Sequence, residues 1–139
     1  ILLAHGAQID LQYDWCGNAL AAASHWGCDK IVAMLLNKGA DANASCRYYK
    51  NALLAASASG HIRTATILIE KGANINGPSG YYGNPLTTAS YLGHAKLVAM
   101  LLRRGADVHL RSGVFGSALS AALQGDHHNV AVMLCDWGA

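Results

Sequence analysis

Three serines are the first residues of this sequence whose spacing could suggest chemistry. Ser24, Ser57 and Ser90 each follow a pair of small residues, and they are 33 residues apart. A repeated nucleophile is one interpretation of this pattern. The interpretation we favour is a small residue on a helix face whose hydroxyl bonds back to the helix backbone. No two carboxylates share a predicted site, so we expect no enzyme.

Metal and phosphate sites are the other chemistry to consider. His25 and Cys28 form an HxxC pair, and His127 and His128 lie near the other end. No second pair stands at ligand spacing, so we predict no metal site. The glycine-rich stretch Gly77–Gly83 precedes a predicted helix start, where a phosphate could bind. No Gly-Lys-Ser or Gly-Lys-Thr follows it, and we expect no cofactor.

The composition indicates one ordinary domain without a strongly charged partner. The chain has 139 residues, of which 53% are hydrophobic and 13% charged, and its formal net charge is +2. A charge this small does not favour nucleic acid or a membrane surface as the partner. No apolar run reaches the length of a membrane helix. The four cysteines lack regular spacing, which favours free thiols in a reducing cytoplasm, with the nucleus as the alternative location.

Three sets of residues recur every 33 residues and show that the sequence is built of repeats. The first is a Gly-Ala pair, which begins at Gly6, Gly39, Gly72, Gly105 and Gly138. The second precedes an apolar segment, at Asn18, Asn51, Asn84 and Ser117. The third is Gly27, Gly60 and Gly93, with Asp126 in the fourth place.

Each set has a backbone role in a pair of short helices. Asn and Ser side chains accept hydrogen bonds from the free N–H groups of a first helical turn. Glycine adopts the positive φ that ends a helix, and we expect the turn at Asp126 to be shifted or strained. The predicted helix pairs lie at about 18–38, 51–71, 84–104 and 117–137. The polar connectors between them predict β-hairpin-like loops at 41–50, 74–83 and 107–116.

These units resemble ankyrin repeats over essentially the whole chain. The matching motifs are Gly39–Asn43, the Gly60-His61 pair and the run Val98–Leu102. The resemblance implies an all-α fold, a solenoid of stacked helix-turn-helix units with hairpin-like loops and a 33-residue period. One departure is systematic, because the family's Thr-Pro-Leu-His is replaced, for example by Asn51-Ala52-Leu53-Leu54. An asparagine cap must therefore replace part of the Thr–His brace.

A finer resemblance concerns the segments Gly17–Leu20 and Tyr82–Leu86. They are similar to long ankyrin arrays of fungi, which often belong to NACHT-type, NLR-like signalling proteins. Residues 1–7 read as the end of a preceding repeat, and the last repeat has no polar outer face. We therefore expect residues 1–139 to be one ankyrin domain from a longer array.

The resemblance also implies where a partner would bind. In ankyrin proteins the loop tips and the exposed end of the first helix face a partner across the concave surface. The corresponding positions that we predict as partner-binding are Asp14, Trp15, His25, Trp26, Arg47, Tyr48, Tyr81, Tyr91, Leu92, Val114 and Gln124. For the adjacent positions, Cys16, Tyr49, Tyr82 and Phe115, we favour packing of loop against loop.

These residues predict a non-catalytic module that binds a protein partner. Exposed Trp, Tyr and Arg side chains are typical anchors of protein interfaces. We expect a monomeric domain within a larger chain, binding neither nucleic acid nor a membrane. The alternative is the sensor or regulatory arm of a NACHT/NLR-like signalling NTPase.

Overall fold

The computed structural model describes residues 18–46, 48–77 and 80–139, and these residues form eight short α-helices. They alternate between a first and a second helix of each repeat. The helices are α1 (Ala19–His25), α2 (Asp29–Asn37), α3 (Ala52–Ser59), α4 (Ile62–Glu70), α5 (Pro85–Leu92), α6 (Ala95–Arg103), α7 (Ala118–Gln124) and α8 (His128–Asp136). The predicted all-α fold class is confirmed. No helix among the described residues is both long and apolar enough to cross a bilayer.

Each first helix begins at the capping residue that the sequence predicts. The side-chain oxygens of Asn18, Asn51 and Asn84 accept the backbone N–H three residues further on, at 2.8 to 2.9 Å. Ser117 makes the equivalent bond to the Ser120 N–H at 3.1 Å. The three asparagines are buried, so each cap also removes a polar side chain from water. An unpaired amide there would be costly.

Two non-glycine residues occupy positions where the other repeats place glycine. Asp126 has a φ of 62°, whereas its counterpart Gly93 has a φ of 77°. Lys50 has a φ of 79° at the position that Gly83 and Gly116 occupy in later repeats. Side chains with a Cβ adopt this left-handed region at a cost. The strain predicted at Asp126 is present, and Lys50 carries a second strained position that the sequence reading missed.

The chain divides into two compact units, Ile1–Ala73 and Asn74–Ala139. In the first, α1 packs against α3 and α2 against α4. In the second, α5 packs against α7 and α6 against α8. Both units bury small residues on their first helices, such as Ala55, Ala89 and Ala121. Small side chains allow the helix backbones to approach closely.

The repeated serines correct one prediction. The hydroxyls of Ser24, Ser57 and Ser90 are buried, and no partner accepts or donates a hydrogen bond to them among the described residues. They do not bond back to the helix as expected. Helix packing selects a small side chain at this position, and the hydroxyl group adds a desolvation cost that an alanine would avoid.

The connecting loops have the predicted hairpin character. Isolated antiparallel bridges join Cys46 to Lys50, Gly80 to Gly83 and Ser112 to Gly116. Asparagine side chains tie the first two of these loops to the end of the following second helix. The Asn43 amide donates to the Gly72 carbonyl at 2.9 Å, and the Asn76 amide donates to the Gly105 carbonyl at 3.2 Å. Loops and helix ends of neighbouring repeats are therefore held in register within each unit.

Candidate functional site

Three large aromatic side chains project into water at the loop tips and at the end of a first helix. Trp26 is the C-terminal cap of α1 and is 67% exposed. Tyr48 and Tyr81 stand at equivalent loop positions, 33 residues apart, and are 69% and 72% exposed. Val114 occupies the same position in the next loop and is also exposed. The fold does not need these apolar groups in its core.

In the first unit, a cluster of hydrogen bonds surrounds His25 at the end of α1. The Tyr49 hydroxyl lies 2.8 Å and the Ser59 hydroxyl 3.1 Å from His25 Nδ1. The two rings of His25 and Tyr49 stack with their centroids 5.5 Å apart. His61 Nε2 lies 2.9 Å from the His25 carbonyl oxygen. His25 thus connects the first helix to the following loop and to the next repeat.

The environment of His25 favours its neutral form. Burial, with a further contribution from the neighbouring His61, holds the pKa of His25 below its ordinary value. The partners at Nδ1 are both hydroxyls, which can donate to an unprotonated nitrogen. A neutral imidazole with an unprotonated Nδ1 can accept these bonds. The rings of His25 and Trp26 meet edge to face, with centroids 4.7 Å apart.

In the second unit, three aromatic rings stack on one another at the corresponding place. Tyr91 on α5 lies 4.3 Å from Phe115 and 5.3 Å from Tyr82, measured between ring centroids. The planes are within 23° of parallel in both pairs. Tyr81 contacts the edge of Tyr82 from outside at 5.1 Å. Apolar stacking here replaces the hydrogen bonds made around His25.

The predicted partner-binding residues fall into three groups. Trp26, Tyr48, Tyr81, Leu92, Val114 and Gln124 have exposed side chains. His25 and Tyr91 are only partly exposed and make the contacts described above. Asp14, Trp15 and Arg47 lie outside the described residues, as do the predicted half-repeat at 1–7 and Cys16.

The expected packing positions form loop contacts. Tyr49 bonds His25, while Tyr82 and Phe115 stack with Tyr91. The ring planes of Tyr82 and Phe115 are within 6° of parallel, with centroids 6.1 Å apart. Tyr82 and Phe115 therefore contact each other from two loops, and both also contact Tyr91 on a first helix.

The predicted partner-binding set omits an exposed apolar residue beside Gln124. Leu123 near the end of α7 is 54% exposed, and it occupies the position of Ser24, Ser57 and Ser90 in the other repeats. Aligning the repeats would have revealed it, because a leucine stands where the other copies keep a small polar residue. It adds apolar area next to Gln124.

The described residues offer little other chemistry. They contain no group of histidine, cysteine or acidic residues that could hold a metal ion. Cys28, Cys46 and Cys135 are free thiols, and burial raises the pKa of the Cys46 thiol. Surface geometry and aromatic contacts are therefore the features from which a function can be argued.

Comparison with known proteins identifies the repeat. A family model described as ankyrin repeats, in three copies, matches residues 22–112. No curated protein matches the chain. The matched segment is well over half of the 139 residues and contains Trp26, Tyr48 and Tyr81, the three large aromatic side chains described above. The chain belongs to the ankyrin repeat family.

Proposed function

We propose that this chain is a non-catalytic module that binds a protein partner through its loop tips and the exposed ends of its first helices. Ankyrin repeats are generally protein–protein interaction modules, and this chain consists of them. We propose Trp26, Tyr48 and Tyr81 as its anchors, with Leu92 and Val114 beside them.

The observation that carries this proposal is the exposure of Tyr48 and Tyr81. Both rings are about seven-tenths exposed, at 69% and 72%. Each touches the edge of its neighbouring tyrosine, with centroids 4.7 Å apart for Tyr48 and 5.1 Å for Tyr81. This contact limits the freedom of the ring before any partner binds. A pre-oriented ring loses less entropy on binding than a free one.

The energetic role of these residues follows from their size. A tyrosine or tryptophan buries roughly 150–250 Å² when a partner covers it. A few such side chains supply most of the binding free energy in many interfaces. The polar neighbours, including Gln124 and His25, would then set orientation. For Asp14, Trp15 and Arg47, the proposal rests on the sequence pattern alone.

Charge and thiol content complete the proposal. The net charge of +2 gives no preference for nucleic acid, and we propose a protein as the partner of a monomeric domain. We propose the cytoplasm as its location, supported by the free thiols of Cys28, Cys46 and Cys135. The nucleus is the alternative compartment.

Affinity capture with matched variants tests the proposed anchors. The test variant combines Trp26→Ala, Tyr48→Ala and Tyr81→Ala. The control variant combines Ile31→Ala, Met34→Ala and Val132→Ala, which removes apolar side chains that are also exposed but lie on second helices. Proteins captured by the wild-type chain are identified by mass spectrometry, and the Kd of the purified partner is measured for all three proteins.

The expected result is a loss of binding in the test variant only. Removing three anchors should weaken binding by several kcal/mol, with the control within about tenfold of wild type. Equal affinity of the test variant and the wild type would contradict the proposed anchors. Loss of binding in the control alone would place the interface on the second helices.

The alternative function is a sensor or regulatory arm of a NACHT/NLR-like signalling NTPase. It is supported by the similarity of Gly17–Leu20 and Tyr82–Leu86 to fungal arrays of that kind. The full-length gene decides it, since a P-loop encoded upstream would favour this role. A gene that encodes no such domain would contradict this role and leave the protein-binding module as the proposed function.

A further inference from the structure

One asparagine in the described loops is followed by glycine, the residue after which an asparagine side chain deamidates most readily. Asn76 is followed by Gly77, and this is the one Asn-Gly step in the 139 residues. Glycine has no Cβ to shield its backbone nitrogen, so this nitrogen can reach the preceding side chain. Asn76 is also exposed to water. We propose that Asn76 is a deamidation site and that its hydrogen bonds to the next repeat slow the reaction in the folded chain.

The reaction needs only water. The deprotonated backbone nitrogen of Gly77 attacks Cγ of Asn76, a new C–N bond forms, and the Cγ–Nδ2 bond breaks to release ammonia. Water then opens the resulting succinimide ring at either carbonyl. The products are aspartate or isoaspartate, and the net change is gain of water and loss of ammonia. Isoaspartate routes the main chain through the side-chain carbon.

The folded loop keeps both reacting groups occupied. The Asn76 amide donates to the Gly105 carbonyl at 3.2 Å, and its oxygen accepts the Asp107 N–H at 2.8 Å. The Gly77 N–H donates to the Asn74 carbonyl at 3.2 Å. Attack requires breaking these bonds and rotating the Asn76 side chain toward its own backbone. Deamidation therefore proceeds from an opened loop, and its rate follows the population of that state.

The product would weaken the contact that guarded the site. An aspartate at position 76 still accepts from the Asp107 N–H, but it has no N–H to give to the Gly105 carbonyl. A carboxylate oxygen would face that carbonyl oxygen instead, and repulsion would replace a hydrogen bond. Neighbouring repeats of a solenoid stabilise each other through such contacts. Each deamidation event would thus favour further opening within the second unit.

The first unit contains a matched control. Asn43 makes the same tie, donating to the Gly72 carbonyl at 2.9 Å, but Ala44 follows it in the sequence. The Cβ of Ala44 hinders attack by its nitrogen. The two asparagines therefore share a structural role and differ in chemical reactivity.

Aging of the purified chain at mildly alkaline pH and physiological temperature tests the proposal. Tryptic peptides 39–47 and 72–96 report deamidation of Asn43 and Asn76 separately by tandem mass spectrometry. A synthetic peptide of residues 72–83 gives the unguarded rate. The same aging in urea below the unfolding midpoint measures the effect of opening.

We expect Asn76 to deamidate readily in the peptide and at least roughly tenfold more slowly in the folded chain. Asn43 should stay intact throughout, and urea should raise the Asn76 rate toward that of the peptide. Equal rates in the folded chain and the peptide would contradict the claim that the folded contacts slow deamidation. A stable Asn76 in the peptide would overturn the site itself.

Two variants test the consequence independently of aging. Asn76→Asp should lower the Tm and speed hydrogen exchange of the Asp107 amide, while Gly77→Ala should slow deamidation in both peptide and folded chain. An added Cβ at Gly77 would lie 3.0 Å from both the Cβ and the backbone oxygen of Asn74, which calls for a small shift of the loop at Asn74. An unchanged Tm and Asp107 exchange rate in Asn76→Asp would overturn the predicted weakening.

Discussion

The two units connect the end of a first helix to its neighbouring loops through different side-chain contacts. In the first, the hydroxyls of Tyr49 and Ser59 lie within hydrogen-bond distance of His25 Nδ1 at the end of α1. In the second, Tyr91 at the equivalent position stacks against both Tyr82 and Phe115. Both arrangements connect a first helix to the loops beside it. Buried asparagine caps and Ala-rich helix faces are common to both units, whereas the outward rings vary.

This difference separates residues that specify the repeat fold from surface residues that differ from one repeat to the next. Scaffold positions are constrained by backbone geometry and close helix packing, so their residue types recur. Position 25 contacts a loop and the end of α3, and position 91 contacts two loops, so a hydrogen-bonding ring and a stacking ring both serve. The rings beyond them, Tyr48 and Tyr81, are free to meet a partner. Changes to the scaffold should therefore affect both units alike, and changes to the surface should not.

The largest effect is expected at the shared buried caps. Asn18→Ala and Asn84→Ala each remove the acceptor for a first-turn N–H inside the protein. Each should lower the free energy of unfolding by about 2 kcal/mol, as measured by urea titration. Ser117→Ala is the control, because this cap is less buried and should cost about 1 kcal/mol or less. Unequal losses in the two asparagine variants would show that the units do not share one scaffold.

The stacked cluster should come next. Tyr91→Ala removes the ring that stacks against both Tyr82 and Phe115 and should cost about 1–2 kcal/mol, below the range for a fully buried aromatic. Tyr91→Phe keeps the stack and should stay within about 0.5 kcal/mol of wild type. Urea unfolding of both variants measures the difference. If Tyr91→Ala were as stable as Tyr91→Phe, the stack would contribute nothing.

Among its described residues, each unit contains one strained position that glycine should relieve. Lys50→Gly and Asp126→Gly place glycine where φ is 79° and 62°, and each should raise the free energy of unfolding by about 1 kcal/mol. Asp126→Gly also removes the contact with His128 at 3.0 Å, but both side chains are exposed and such pairs contribute little. Thermal unfolding checks both variants. A fall in Tm for either would mean that its side chain makes a contact worth more than the strain.

The smallest effect is a pH dependence confined to the His25 cluster. The pKa of His25 is lowered by burial and by His61, so the unfolded chain takes up a proton at higher pH than the folded chain. The free energy of unfolding should keep its highest value above the ordinary histidine pKa of about 6.5. It should fall as the pH drops below that value, because the unfolded chain then binds the proton more readily.

Urea midpoints measured across that range for wild type and His25→Gln check this sign. The variant should lose part of the slope, because glutamine can accept a hydrogen bond without titrating. Tyr91→Phe serves as the control and should keep the wild-type slope. An identical slope in His25→Gln would assign the pH dependence to other histidines.

The sequence was sufficient to predict most of the fold and only the outline of the site. Asn51 and Gly60 can be recognised as cap and stop because local backbone chemistry requires those residue types. The strain at Lys50 was missed because its loop position lacks the glycine that marks the later repeats. Whether Tyr91 stacks or faces a partner depends on Tyr82 and Phe115, which come from other loops. Such contacts are set by tertiary structure and leave no local pattern.

Thermal unfolding of two multiple variants tests the division between scaffold and surface most directly. Trp26→Ala with Tyr48→Ala and Tyr81→Ala removes exposed rings, and Tyr82→Ala with Tyr91→Ala removes stacked ones. We predict that the first variant keeps the wild-type Tm to within about 2 °C and that the second loses about 5 °C or more. A large loss of Tm in the first, or none in the second, would contradict this division.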